Sequence, residues 1–346
     1  MIDFVTVELS GIVRMWVWDG RSEPQILYEH KTEKPCWYHS VTMSADGQLA
    51  VTSHIKGIYL WSMLTGQQIA AVNLDCWAYS ASISTELVAV ACDDGKIRLY
   101  KHDGTLVRSF DGLSILIYDV SFSPDGQQLV AGNYDNTARV WDIINNTVRL
   151  TLEHPSTVSG TIWSPCGNSI ATTCWDANVR IWDVSDGRQI AILASNSENV
   201  KYSSDGKCVA TSGFGAMIRI WKSIEGENWG LELRLTGHAV DSSINAASFS
   251  ADDKMLLSAS DDKTVRIWDL ITGSCMYILR HNSSVRGVAF NRVDRYALSR
   301  QQDTMFAVAI LCDQWETDPF LPREVWSEFL NHISWRDFVE IYEKPT

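Results

Sequence analysis

One pattern constrains this chain more than any other: an aromatic ring that closes a short alternating strand and returns at positions 16, 61, 100, 141, 182, 221 and 268. The period averages about 42 residues, the size of one supersecondary unit that cannot bury its apolar face alone and must stack on its neighbours. Five copies end in one type of triplet: Arg14-Met15-Trp16, Arg139-Val140-Trp141, Arg180-Ile181-Trp182, Arg219-Ile220-Trp221 and Arg266-Ile267-Trp268. Before each ring comes a β-run ending in a turn, as in Phe122-Ser123-Pro124-Asp125-Gly126 and Met43-Ser44-Ala45-Asp46-Gly47. Each unit therefore holds several short strands. In the unit 237 to 280, Gly237-His238 opens, Ile244 to Ser250 is an inner strand, Met255 to Ser260 the second, Thr264 to Asp269 the third and Ser274 to Leu279 the outer.

Six of the 15 tryptophans close these repeating strands, and a hydrophobic content of 45% supplies an ample core. A net charge of −13 argues against nucleic acid and anionic membrane as partners. No apolar run reaches the ~20 residues that span a bilayer, and the opening residues lack the pattern of a signal peptide, so the expected location is cytoplasmic. Eight cysteines are scattered without a C-x-x-C pair, several of them inside apolar β-runs such as Val88 to Cys92, which reads as buried-thiol usage with neither metal nor cofactor.

The segment Ser260-Asp261-Asp262-Lys263-Thr264-Val265-Arg266-Ile267-Trp268-Asp269 resembles the signature of the WD-repeat family at every slot, and the resemblance extends over residues 1 to about 312. It implies an all-β fold, a β-propeller of radial four-stranded blades. Eight repeat-like units are visible, of which the first (Asp3 to Glu29) has only its last three strands and the last (Ser284 to Leu311) only its first three. Pooling the two ends would give seven blades with strands to spare; eight incomplete blades or a fragment of a longer array are the alternatives. The resemblance also implies a buried hydrogen-bond network in which an imidazole links a turn carboxylate to a strand hydroxyl and an indole N–H. Two units carry all four members: His238, Ser258, Asp262 and Trp268, and His154, Thr172, Asp176 and Trp182. Because these His and Asp residues recur with the repeat and lack a paired nucleophile, they read as scaffold, not catalysis.

On the same fold, the approach to the first strand and the turn between strands two and three emerge on one rim. Those slots hold Trp37 and His39, Trp77 and Tyr79, Tyr118 with Tyr134, Trp175, and Phe214, whereas later units offer Asn245, Asp261 and Arg286. Aromatic and Arg side chains dominate binding hot spots. The expectation is a non-enzymatic scaffold that binds a protein or peptide through the aromatic arc, with the polar arc orienting it. No G-x-S-x-G, G-x-x-x-x-G-K-[ST], H-E-x-x-H or regular D-x-[DN]-x-[DN]-G motif occurs, which leaves a propeller hydrolase the least favoured class.

After Leu311 the composition changes, so residues 313 to 346 read as a helical tail. Val325, Trp326, Phe329, Leu330 and Ile333 follow helical spacing, and Ser334-Trp335-Arg336-Asp337 has capping-box form. The plain expectation is that the tail docks on an open edge or lower face, since helices this short need packing. Leu321-Pro322, Glu324-Val325, Phe329-Leu330, Ile333-Ser334 and Asp337-Phe338 also resemble the first half of an F-box, which implies contact with a ubiquitin-ligase adaptor through Leu321, Pro322, Trp326, Leu330 and Ile333. A fainter resemblance, to Trp-centred segments that follow WD repeats in bacterial signalling ATPases, would make the propeller a ligand sensor.

Overall fold

A computed structural model describes residues 2–32, 38–111, 116–224 and 228–291. These residues form seven four-stranded antiparallel sheets. Six are built in chain order, each from four consecutive strands; the remaining one is pooled from both ends. There β28 (Val285–Phe290) is the innermost strand beside β1 (Ile2–Glu8), followed by β2 (Ile12–Trp18) and β3 (Gln25–Lys31). The register pairs Phe4 with Phe290 and Thr6 with Val288. The innermost strands of neighbouring blades touch all the way round, so the circle closes. The other inner strands are β4 (Tyr38–Met43), β8 (Ala78–Ile83), β12 (Ile117–Phe122), β16 (Val158–Trp163), β20 (Asn199–Tyr202) and β24 (Ile244–Phe249). The pooled closure expected from the two partial units is therefore what the fold uses. Of the last unit only its first strand is described; Leu113, Ala309, the spare strands and the whole tail lie outside the described residues.

The core is distributed between the blades. Seven buried clusters each straddle two adjacent sheets; one joins Phe4, Trp16 and Trp18 of the pooled blade to Leu257, Val265, Ile267 and Leu279 of the blade before it. Second strands are buried on both faces, as in Leu49–His54, whereas inner strands mix buried and partly buried positions, as in Ala78–Ile83, and outer strands alternate, as in Gln68–Asn73. The recurrent turn has its own chemistry. Ser203 Oγ donates to Asp205 Oδ1 at 2.7 Å and accepts from the Cys208 N–H at 2.8 Å, while Gly206 takes φ +72°. A left-handed residue is needed there, and glycine adopts it without strain.

The network implied by the family signature is complete in one blade. Trp268 Nε1–H donates to Ser258 Oγ at 2.8 Å, and Ser258 meets His238 Nε2 at 2.7 Å. This leaves Nδ1–H to donate to Asp262 at 2.8 Å. In the other unit the expectation needs correction. His154 and Trp182 both bond Thr172, at 2.8 and 2.9 Å, but His154 Nδ1 donates to the Leu152 carbonyl at 2.9 Å rather than to Asp176. Both Asp176 oxygens are taken by the Arg180 fork, at 2.5 and 3.1 Å, and a bidentate guanidinium leaves the imidazole no good acceptor there. A third copy escaped the sequence reading because closure splits it. Thr6 Oγ1 accepts from Trp16 at 2.9 Å and meets His281 at 3.2 Å, 275 residues away.

Candidate functional site

The inner strands surround an axial channel of about 340 Å³. At its mouth stands one residue per blade: His39, Tyr79, Tyr118, Ser159, Glu198, Asn245 and Arg286, all lining the opening. Their placement has a local cause. Ladder pairing runs from Tyr38↔His54 to Ser40↔Ser53, from Ala78↔Cys92 to Ser80↔Ala91, and from Ile117↔Asn133 to Asp119↔Gly132, so the intervening residue is bulged out of register. The same skip occurs at Ser159, Asn245 and Arg286. A β-bulge leaves its extra residue unpaired and re-aims the side chain, here repeatedly at the mouth. Glu198 occupies the matching slot just ahead of β20, its N–H bonded to the Ser212 carbonyl at 3.0 Å.

The ring is divided into two arcs. On one, aromatic rings touch in sequence: His39 lies 5.3 Å from Tyr79, Tyr79 5.5 Å from Tyr118, and Tyr118 5.6 Å from Trp175, which extends from the turn between Ser169–Cys174 and Asn178–Asp183. Trp77 joins from the approach to β8, 6.2 Å from Tyr79 and 6.4 Å from His39, its backbone N–H bonded to Asp93 at 3.0 Å. Trp77 and Trp175 are about half exposed, at 44% and 52%. Tyr134 and Phe214 are equally exposed on their turns but enter none of these ring pairs. Trp37 lies outside the described residues.

On the other arc the side chains bond one another. Asn245 donates to Asp261 at 2.8 Å and accepts from Arg286 at 3.2 Å, and Arg286 reaches Asp261 at 3.5 Å. Arg286, expected from sequence to face a partner, is thus already held within the protein. Burial and the positive charge of Arg286 push the His39 imidazole below its ordinary value, keeping it neutral. Burial pushes the Glu198 carboxyl up, against the pull of Arg286. Burial likewise raises the phenols of Tyr79 and Tyr118. Deeper in the channel wall, Asp119 accepts the Thr161 N–H at 2.7 Å; desolvation raises its pKa, opposed by Lys201.

Sequence reasoning placed His39, Tyr79, Tyr118, Trp175 and Arg286 where the channel opens, but missed Ser159 and Glu198. Counting the repeat period onward from Tyr118 would have found both. It also missed that Cys76, Cys92 and Asp94, the described residues that could jointly hold a metal, gather within 4.8 Å. A guanidinium already fills that position: Arg98 grips Asp94 at 3.0 and 2.5 Å and reaches Cys76 Sγ at 3.5 Å, and burial raises both thiols. A cation would have to displace it. Among the described residues the mouth presents π-faces and one charged cluster, an arrangement that suits recognition.

Comparison with known proteins agrees with this geometry. The family model described as WD domain, G-beta repeat matches residues 104–142, 146–183 and 229–269. Each span starts at the outer strand of one blade and ends at the third strand of the next, so every sequence repeat ties two blades together. WD repeat-containing protein 18 of Danio rerio is 22% identical over 79% of this chain and 59% of its own length. Transcriptional corepressor LEUNIG_HOMOLOG of Arabidopsis thaliana is 30% identical over 64% of this chain and 28% of its own. Protein groucho of Drosophila melanogaster is 23% identical over 68% and 33%, respectively. The chain thus spans less than two thirds of the length of these relatives. Among the described residues, no helix is long and apolar enough to cross a membrane. With its repeats, its blades and its closure in agreement, the chain is a seven-bladed β-propeller that carries WD repeats.

Proposed function

We propose that the chain is a non-enzymatic recognition module that captures a protein or peptide segment across its channel mouth. The observation that carries this is the unbroken contact path His39–Trp77–Tyr79–Tyr118–Trp175, with two indoles half exposed at its margins. Rings that pack on one another are pre-organised, so a partner that covers them loses little side-chain freedom while burying large apolar faces. Anchors of this kind contribute ~2 kcal/mol or more each. Trp37, Tyr134 and Phe214 belong to the same proposal as outlying contacts, and Arg286 as part of the orienting arc. That one relative is named a transcriptional corepressor sits better with a scaffold than with a catalyst. A cytoplasmic location, division into a propeller over 1–312 and a tail over 313–346, and an absence of nucleic-acid and membrane partners complete the reading. An adaptor contact through Leu321, Pro322, Trp326, Leu330 and Ile333 falls outside the described residues.

The test replaces Trp77, Tyr118 and Trp175 together by Ala and compares affinity capture by mass spectrometry with thermal unfolding. Partners held by the unaltered chain should be lost while a cooperative melt remains. Retention of the same partners by the triple variant would overturn the reading.

A further inference from the structure

Five of the seven mouth residues are long enough to fill their sector with a ring, an amide or a guanidinium, but Ser159 is not. Its short side chain ends in a hydroxyl turned to Thr173 at 3.0 Å. The sector above Ser159 is therefore a recess with Tyr118 and Trp175 on one side and Glu198 on the other, all three lining the same opening. Glu198 is half-buried. Its backbone is pinned on both sides, the N–H to Ser212 at 3.0 Å and the carbonyl to Thr173 at 3.0 Å, yet its carboxylate has no hydrogen-bond or ion-pair partner among the described residues. The cation nearest in charge, Arg286, is committed to Asp261 and Asn245. A half-buried anion beside two π-faces, whose nearest cation acts only at a distance because it is held by other groups, is costly in the free protein and matched by a cationic group.

Resting on the reading of the mouth as a recognition surface, we propose that this recess takes a basic side chain of the bound segment, its guanidinium or ammonium lying against Tyr118 and Trp175 and paired with Glu198. Ring faces carry negative potential, so they attract a cation and repel a carboxylate or phosphate. Glu198 supplies the charge-assisted hydrogen bond that an apolar side chain could not use. The chain's overall charge of −13 favours the approach of the same partner. A neutral aromatic or aliphatic side chain would stack equally well but would bury Glu198 unpaired, which selects against it.

The experiment pans a phage-displayed library of random linear peptides against the whole chain, its Glu198→Gln variant and the Trp77/Tyr118/Trp175 triple-Ala variant. From the unaltered chain, enriched peptides should share an Arg or Lys at one aligned position. In a synthetic copy, replacing that residue by citrulline or norleucine should weaken binding about 10-fold. Glu198→Gln should weaken the basic peptide by a similar factor and the neutral copy hardly at all, since the two changes remove one interaction. Enriched peptides with no shared basic residue, or replacements whose effects multiply independently, would overturn the cation proposal while leaving the recognition surface intact. Peptides that bind the triple variant as well as the unaltered chain, or a library that yields none, would overturn both.

Discussion

Indoles do two opposite jobs in this molecule. Trp61 and Trp268, at the ends of third strands, are buried between blades and donate their N–H to Thr52 and Ser258 at 3.0 and 2.8 Å. Trp77, on the approach to β8, and Trp175, on the turn between Ser169–Cys174 and Asn178–Asp183, stand half out of the surface. The side chain is the same; what differs is whether the backbone beneath it belongs to a ladder or a turn, and whether a hydroxyl waits for the N–H. A ring that closes a strand is scaffold, and a ring with rings for neighbours and solvent above is available to a partner.

The largest break in that contrast is Trp268→Ala. The ring is 1% exposed and packs with Ile218, Leu235, Phe249 and Leu256 across two blades. Its loss leaves a cavity and an unpaired hydroxyl, so unfolding free energy should drop by ~3 to 5 kcal/mol, read from urea denaturation.

Acid should attack the same buried belt. His154, bonded to Thr172 and 5.0 Å from Trp182, and His54, stacked 4.4 Å from Tyr59, are both held down to about 4 by burial, from an ordinary 6.5. Above pH 6.5 each is neutral whether folded or not, and stability is flat. Between 6.5 and 4 the unfolded chain takes up a proton that the folded chain refuses, so stability falls as pH falls. One unit below 6.5 the loss is ~1.4 kcal/mol per imidazole, approaching ~3 near pH 4. Urea midpoints across that range check it, and His154→Gln should flatten the slope. A midpoint independent of pH between 7 and 5 would show these rings to be solvated.

A smaller break removes only the hydroxyl. Ser258→Ala leaves His238 Nε2 and the Trp268 N–H without their shared partner and should cost ~2 kcal/mol. Thr172→Ala should cost the same, since His154 and Trp182 share it likewise, even though that blade has lost the carboxylate link.

These residues also show what the sequence could and could not reveal. The blade count was readable because closing rings repeat with a period that only stacked sheets explain, and the pooled blade followed from two partial units at the ends. The scaffold pair of hydroxyl and indole was readable too, ten residues apart in the units of Trp182 and Trp268. Which partner an Asp chooses was not. Asp176 and Asp262 each precede an Arg by four residues, yet only Asp176 closes a two-pronged pair; at Asp262 the Thr264 hydroxyl, at 2.6 Å, and His238 hold the carboxylate, and Arg266 turns over Trp268 at 5.8 Å. That competition is decided by packing, on which the repeat pattern is silent. The mouth ring was half legible for a related reason. Aromatic residues mark five blades in the sequence, while the bulge that aims six of the seven members at the channel leaves no mark on composition, so Ser159 passed unnoticed, as did Glu198 just ahead of its strand.

The smallest expected effect on stability is the one that sharpens the contrast most. Trp175 sits on a turn, 52% exposed, held by a backbone bond from its N–H to the Thr157 carbonyl at 3.0 Å that a side-chain change does not touch. Its ring contact with Tyr118 is worth ~0.5 to 1.5 kcal/mol at most in a desolvated pair, and half of the indole already faces water. Trp175→Ala should therefore lower unfolding free energy by less than ~1 kcal/mol, a fraction of the cost at Trp268, while weakening any partner seated on the aromatic arc at least 10-fold. Paired urea titrations of Trp175→Ala and Trp268→Ala measure the ratio directly. A loss at Trp175 as large as at Trp268 would make the mouth rings part of the scaffold, and the division between the two classes of indole would fall.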